Sequence, residues 1–128
     1  MPYETLWEQK GVVKRFRGFV TADEFVQSAE DIAAHPDFDR VTYIVNDFTG
    51  SDGHGIDGDA MERIAVIRFG SMSTNRKIRV LVVSTDPRVT ALADAVKVAP
   101  LIGSQVTVAV PDMDRARLWL LEHPAANR

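Results

Sequence analysis

The spacing of apolar residues along this chain predicts five β-strands. Near the start, Tyr3–Glu8 alternates between apolar and polar positions, and Val12–Val20 is predicted as a second strand, although its faces are not cleanly divided. The Lys10-Gly11 turn between them predicts a hairpin. Three later apolar runs also predict strands, and the first two have the few polar positions that are typical of strands covered on both sides in a parallel sheet. These runs are Val41–Phe48, Ile78–Val83 and Val106–Val110.

Helix-start signals follow four of these strands. Thr21 and Glu24 have the spacing of a capping box, in which each side chain accepts a hydrogen bond from the backbone amide of the other residue. Apolar residues then recur at intervals of three or four, as on the buried face of an amphipathic helix. By the same kind of signal, later helices are predicted after an Asp59 cap, at Pro87 and after an Asp112 cap.

The predicted order is β-β-α-β-α-β-α-β-α, which indicates a single α/β domain with a mixed, mostly parallel five-stranded sheet and four helices. The opening hairpin would supply one antiparallel edge strand. The domain is predicted to cover residues 1–124, with residues 125–128 as a flexible tail. In this arrangement residues 41–48 and 78–83 are expected to be neighbouring strands.

Composition narrows the functional classes. The chain has 128 residues, no cysteine and a formal net charge of −3, with 45% hydrophobic and 26% charged residues. Cysteine chemistry is therefore excluded, and the acidic balance argues against nucleic acid as a partner. No apolar run approaches the roughly 20 residues that span a bilayer. We therefore expect a globular, cytoplasmic protein.

The richest candidate chemistry follows the third predicted strand. Gly and acidic residues dominate a segment that we expect to be a loop at the carboxyl end of the sheet, where ligands and partners usually bind in open α/β folds. Its acidic residues do not match a calcium-loop spacing, so we predict neither a metal nor a cofactor, and we assign no catalytic residue. The predicted ligand- or partner-binding residues are Asp47, Ser51, Gly53, His54, Asp57, Gly58 and Asp59.

Two further patterns favour structural roles. The opening hairpin carries Lys10, Lys14, Arg15 and Arg17, which we interpret as charges on a solvated edge strand that discourage aggregation. An anionic partner is the alternative. Leu101-Ile102 extends an apolar patch after the third helix, which makes a homodimer contact possible.

Four segments together resemble the STAS domain of anti-sigma-factor antagonists and, more closely, the STAS-like, SEC14-related family of small bacterial proteins. They are GFVTADEF at 18–25, NDFTG at 46–50, MERIAVI at 61–67 and RARLWL at 115–120. The resemblance implies a regulatory module and makes an apolar ligand conceivable. It also implies a phosphorylatable Ser at the start of the helix after strand three, but residues 56–59 contain no hydroxyl side chain.

The leading functional hypothesis is thus a non-enzymatic regulatory or binding module. It would recognise a protein partner, or a small apolar or anionic ligand, near residues 47–59. The first alternative is a small hydrolase or isomerase that uses Asp47 and His54, which requires these side chains to meet beside a pocket. The second alternative is a purely structural homodimer subunit.

Overall fold

The computed structural model describes residues 3–71, 78–97 and 106–124, and it contains one five-stranded sheet with the order β1-β2-β3-β4-β5. A short 3₁₀ turn at Phe38–Arg40 precedes the third strand. The strands are β1 (Tyr3–Trp7), β2 (Gly11–Val20), β3 (Tyr43–His54), β4 (Arg79–Val83) and β5 (Val106–Val110). The helices are α1 (Ala22–Ala33), α2 (Gly58–Ser71), α3 (Pro87–Lys97) and α4 (Met113–Glu122).

Strand β1 runs antiparallel to β2, and the four later strands are parallel to one another. This confirms the predicted α/β fold class, including the antiparallel edge strand and the pairing of β3 with β4. Their register aligns Tyr43 with Arg79 and Asp47 with Val83. The carboxyl ends of the parallel strands therefore lie at one end of the sheet, and the turn before β2 lies at the other.

The helices cover both faces of the sheet. On one face, α1, α2 and α3 bury an aromatic and aliphatic cluster that includes Phe16, Phe48 and Ile64. On the other face, α4 places Ala116 against Val45 and other residues of the central strands. Burial on both sides fits the apolar character of β3 and β4, although β3 also buries Asn46 and Asp47. None of the helices within the described residues is long and apolar enough to cross a lipid bilayer.

Local capping signals are confirmed at three of the four helices. The Thr21 hydroxyl accepts from the Glu24 amide at 3.1 Å, and the Glu24 carboxylate accepts from the Thr21 amide at 2.9 Å. Asp112 accepts from the Arg115 amide at 2.7 Å, and α3 begins at Pro87. These bonds satisfy amide groups that have no partner inside a helix.

The interpretation of the basic hairpin as a solvated edge strand was wrong for β2, which lies between β1 and β3. Lys14 is buried, and its ammonium donates to the Ser28 hydroxyl at 3.1 Å and lies 4.9 Å from the centre of the Phe25 ring. Arg17 is exposed and pairs with Glu4 of β1 at 2.9 Å. The pattern misled because alternation along β2 also brings Lys14 onto the face that α1 covers.

Two sequence predictions lie outside the described residues. They are the Leu101-Ile102 patch, which was considered as a dimer contact, and the tail at residues 125–128.

Candidate functional site

The predicted loop after the third strand is largely a continuation of that strand, so its predicted end at Phe48 was wrong. Strand β3 runs on to His54 and stays paired with β2, but its register with β2 shifts twice, between Arg15 and Arg17 and between Gly18 and Phe19. Each shift places one extra residue in β3. Such bulges bend a strand and re-aim its side chains, and Gly18 accommodates one of them with a φ of 61°.

The Asp47 side chain forms hydrogen bonds within the first bulge of β3. Its carboxylate is buried and accepts from the Thr49 amide at 2.9 Å and from the Thr49 hydroxyl at 2.7 Å. The Ser51 hydroxyl, half-buried, donates to the Phe48 carbonyl at 2.8 Å. Both side chains thus bond to their own strand, as Asp and Ser commonly do in turns and bulges.

Gly53 and Gly55 form a flat support for an exposed aromatic ring. Phe19 of β2 is 57% exposed, although it is a large apolar side chain. A Cβ atom at Gly55 would lie 3.3 Å from the ring, and one at Gly53 would lie 3.5 Å from it. The absence of side chains at these two positions lets the ring lie against the backbone at the end of β3 and just beyond it.

His54 is held on both ring nitrogens. Its Nδ1 accepts from the Ile56 amide at 3.0 Å, so the ring proton lies on Nε2, which donates to the Arg88 carbonyl at 3.1 Å. Arg88 in turn forms an ion pair with Asp86 at 2.7 Å, and its hydrogen bonds keep the pKa of Asp86 below the ordinary value. His54 therefore ties the end of β3 to the start of α3.

The cap of α2 is Asp57, and the prediction of an Asp59 cap was wrong. The Asp57 carboxylate accepts from the Ala60 amide at 2.9 Å, and α2 begins at Gly58. Asp59 is exposed in the first turn, where a negative charge is favourable beside the free amides. The capping box was assigned two residues too late because both aspartates precede the same apolar pattern.

Asp47 and His54 do not form the pair that the hydrolase hypothesis needs. Asp47 bonds to Thr49, whereas His54 bonds to Ile56 and Arg88. No hydrogen bond joins the two side chains. Nor does any group of three His, Asp or Glu side chains within residues 3–71, 78–97 and 106–124 come together as a metal site would require.

A small cavity lies under the helices of the first face. Its volume is about 20 Å³, and it is lined by apolar side chains together with Asn46 and Thr107. The Asn46 side-chain oxygen and the Thr107 hydroxyl are buried without a hydrogen-bond partner among the described residues. A volume of this size has room for about one water molecule and not for a lipid chain.

The opposite end of the sheet holds a second polar cluster that sequence reasoning missed. Arg117 of α4 makes two 2.7 Å hydrogen bonds to the Glu8 carboxylate, which also accepts from the Tyr43 hydroxyl. The Arg117 bonds hold the pKa of Glu8 below its ordinary value, whereas burial and the neighbouring Glu8 raise the pKa of Tyr43. Glu8 and Arg117 are 109 positions apart, so no local sequence motif could predict that they form a pair.

Arg79 stands beside this cluster at the start of β4. Its guanidinium donates to the Thr42 carbonyl and hydroxyl, both at 3.1 Å, and to the carbonyls of Leu120 and His123. It also lies 5.9 Å from the centre of the Tyr43 ring. In the sequence, the only indication of this role for Arg79 is that a charged residue stands at the start of a strongly apolar strand.

Comparison with solved structures identifies the fold to which this architecture corresponds. The chain superimposes on the anti-sigma factor antagonist SpoIIAA in its unphosphorylated form with a TM-score of 0.60 and 11% identity, over 95% of this chain and 99% of that one. This chain has a SpoIIAA-like, STAS-like fold. An uncharacterised Shewanella loihica protein of the DUF3478 family, also with a SpoIIAA-like fold, matches with a TM-score of 0.55 and 14% identity over 92% of this chain and 91% of that one.

These two likenesses establish the SpoIIAA-like fold alone. No family model matches the sequence, and no curated protein matches it significantly. Within the described residues, the segment that enters α2 contains Asp57, Gly58 and Asp59. Ser51 lies upstream within β3, and its hydroxyl is bonded to a backbone carbonyl.

Proposed function

We propose that this protein is a non-enzymatic regulatory module that recognises a protein partner at the carboxyl end of its sheet. The binding surface comprises the exposed Phe19 ring, its support at Gly53 and Gly55, and the exposed charges of the following segment. We call it the Phe19 surface. The acidic residues that border it are Asp52, Asp57 and Asp59.

The exposure of Phe19 carries this proposal. A phenylalanine ring that is 57% exposed forgoes much of the stabilisation that burial would provide, yet here it lies against a backbone that is braced by its own hydrogen bonds. Aromatic side chains on rigid supports are common anchors at the centre of protein interfaces, and charged residues surround them at the rim. The SpoIIAA-like fold agrees with a regulatory binding role.

The polar residues of this region are better suited to binding a protein partner than to catalysis. Asp47, Ser51 and His54 all bond to backbone groups of the chain itself, so they shape the surface instead of offering reactive atoms. Asp57 is exposed but also caps a helix. The partner would therefore meet a preformed surface with an apolar centre and an acidic border.

Site-specific photocrosslinking tests the proposal. A benzoylphenylalanine at position 19 is expected to give one discrete protein adduct in cells that express the full chain. The same group at Val66, which is 67% exposed on α2, is the matched control and should not give that adduct. An adduct with a second copy of this chain would instead support the homodimer hypothesis.

The crosslinked partner is then purified and its affinity measured. Phe19→Ser should weaken binding by about tenfold or more, the effect of losing a central aromatic anchor, whereas Val66→Ser should leave it unchanged. Asp57→Asn retains an oxygen that can cap α2 and should mainly reduce the salt dependence of association. Equal affinities for the parent and Phe19→Ser would refute the proposal.

A further inference from the structure

A wide cleft lies at the amino end of the sheet, opposite the Phe19 surface. Its volume is about 920 Å³, which is within the range of sites for drug-sized molecules. Segments far apart in sequence form it, namely the turn before β2, the starts of β3 and β4, and the end of α4. We call it the amino-end cleft, and its lining includes Lys10, Arg40, Tyr43, Arg79, Arg117 and Leu121.

The charges of the cleft are unbalanced. Four cationic side chains line it, and two of them have carboxylate partners, because Arg117 pairs with Glu8 and Arg40 pairs with Asp37. Within the described residues, neither Lys10 nor Arg79 has a carboxylate within ion-pair distance. An excess of positive charge in one concave place is notable in a chain whose net charge is −3.

Arg79 is held as a fixed cation. Its hydrogen bonds go to carbonyl and hydroxyl oxygens, which orient the guanidinium without neutralising it. Burial lowers the pKa of Arg79, as expected for a charge that has lost water and gained no counter-ion. A guanidinium placed in this way can donate a further hydrogen bond to an incoming anion at little entropic cost.

Part of the wall of the cleft is apolar. Leu120 and Leu121 come from the last turn of α4, and the Leu121 side chain is 79% exposed. The ring of Tyr43 also lines the cleft, and its centre lies 5.9 Å from the Arg79 guanidinium. A ligand that fits must therefore place negative charge near Lys10 and Arg79 and cover the leucines with an apolar part.

We infer that the amino-end cleft binds an amphipathic anion, in which a phosphate or carboxylate group is joined to an apolar body. The head group would lie between the Lys10 ammonium and the Arg79 guanidinium, and the apolar body against Leu120 and Leu121. The ligand can be a free small molecule or a lipid, since both offer this chemistry. The inference is independent of the Phe19 surface and of its partner.

Titration with three probes tests the chemistry. Hexyl phosphate contains both parts, inorganic phosphate contains only the head group, and hexanol contains only the apolar body. Hexyl phosphate should bind about tenfold more tightly than inorganic phosphate, because burial of two methylene groups already provides that factor. It should perturb the methyl NMR signals of Leu120 and Leu121, and its affinity should fall as salt is added.

Variants locate the site. Arg79→Gln should abolish binding, but it also removes bonds that hold α4, so Lys10→Gln is the safer variant because the Lys10 side chain is exposed. It should weaken hexyl phosphate binding by about three- to fivefold, the effect of one screened charge. Arg115→Gln removes the same charge from an exposed position on α4 that does not line the cleft, and should have no effect.

Vesicle sedimentation distinguishes a free small molecule from a lipid as the ligand. Binding of monomeric hexyl phosphate without sedimentation on phosphatidylcholine–phosphatidic acid vesicles indicates a free ligand, whereas sedimentation that Lys10→Gln reduces indicates a lipid. Failure of both hexyl phosphate and the vesicles to bind overturns the inference. So does equal weakening by Lys10→Gln and Arg115→Gln, or equal affinity for hexyl phosphate and inorganic phosphate.

Discussion

The two ends of the sheet hold their polar side chains by different means. At the carboxyl end, Asp47 bonds to Thr49 and His54 bonds to Ile56, each across two positions of sequence. At the amino end, Glu8 bonds to Arg117 across 109 positions and Arg79 bonds to Thr42 across 37. The polar side chains of the first end bond mainly to nearby backbone groups, with the His54 contact to Arg88 of α3 as an exception. Those of the second end meet only once the whole sheet and α4 are in place.

The ends also differ in what they offer to a partner. The carboxyl end is bordered by exposed aspartates around an exposed aromatic ring, and its buried carboxylate already has donors. The amino end is concave and cationic, with Arg79 bonded to neutral oxygens. Opposite charges at opposite ends allow the two surfaces to select different molecules and to be altered separately by mutation.

The largest expected effect comes from adding one methyl group to Gly11, at the amino end. In Gly11→Ala the new Cβ would lie 2.5 Å from atoms of the Tyr43 ring, so the ring must move away from Glu8 and Arg79. We expect unfolding free energy to fall by about 1–3 kcal/mol, as for other overpacked sites. Urea denaturation of the purified variant measures this change.

Gly58→Ala is the matched control at the carboxyl end. A Cβ there meets nothing within 4 Å, at the first residue of α2. Because alanine has less conformational freedom than glycine in the unfolded chain, this change should be neutral or should stabilise by about 0.5 kcal/mol. Similar losses for both alanine variants would contradict the packing of Tyr43 on Gly11.

The next effect tests the local character of the carboxyl end. Asp57→Ala removes the acceptor for the Ala60 amide and should lower the unfolding free energy by about 1 kcal/mol. Asp57→Asn should retain most of the stability, and Asp59→Ala should cost only a few tenths as its charge is exposed. If Asp59→Ala were the more damaging variant in thermal unfolding, our assignment of the cap would be wrong.

The smallest effect concerns the pH dependence of the amino end. The pKa of Glu8 is lowered in the folded protein, chiefly by the Arg117 hydrogen bonds, so its ionised form stabilises the fold. This contribution, about 0.5 kcal/mol for a partly exposed pair, is present above the unfolded pKa of about 4.3. It is lost as the pH falls through the lowered folded value.

Glu8→Gln should therefore lower stability at pH 7 and flatten the loss between neutral and acidic pH. Glu62→Gln, at an exposed carboxylate on α2 without an ion pair among the described residues, is the control and should keep the parent profile. Unfolding free energies from urea titrations across this pH range measure how much the Glu8–Arg117 pair contributes to stability. Parallel profiles for the parent and Glu8→Gln would show that the pair contributes nothing.

Much of the fold was predictable because its signals are local. The alternation in β1, the capping box at Thr21 and the Pro87 helix start each depend on residues within a few positions. The errors arose where a local pattern has two interpretations. The segment after Phe48 has the glycines and aspartates of a loop, but these residues also suit a strand with two bulges, and pairing with β2 decides between the two.

By itself, the sequence determined the order of strands and helices, the sheet end to which residues 47–59 belong, and the tendency of Asp47 and Asp57 to bond to nearby amides. Only the tertiary structure decided that Lys14 is buried, that Phe19 lies exposed on glycine, and that Arg79 and Arg117 line one cleft at the amino end. The physical reason is the separation in sequence between the residues that make contact. Hydrogen bonds between near neighbours depend on backbone conformation alone, whereas contacts across the sheet depend on how every intervening element packs.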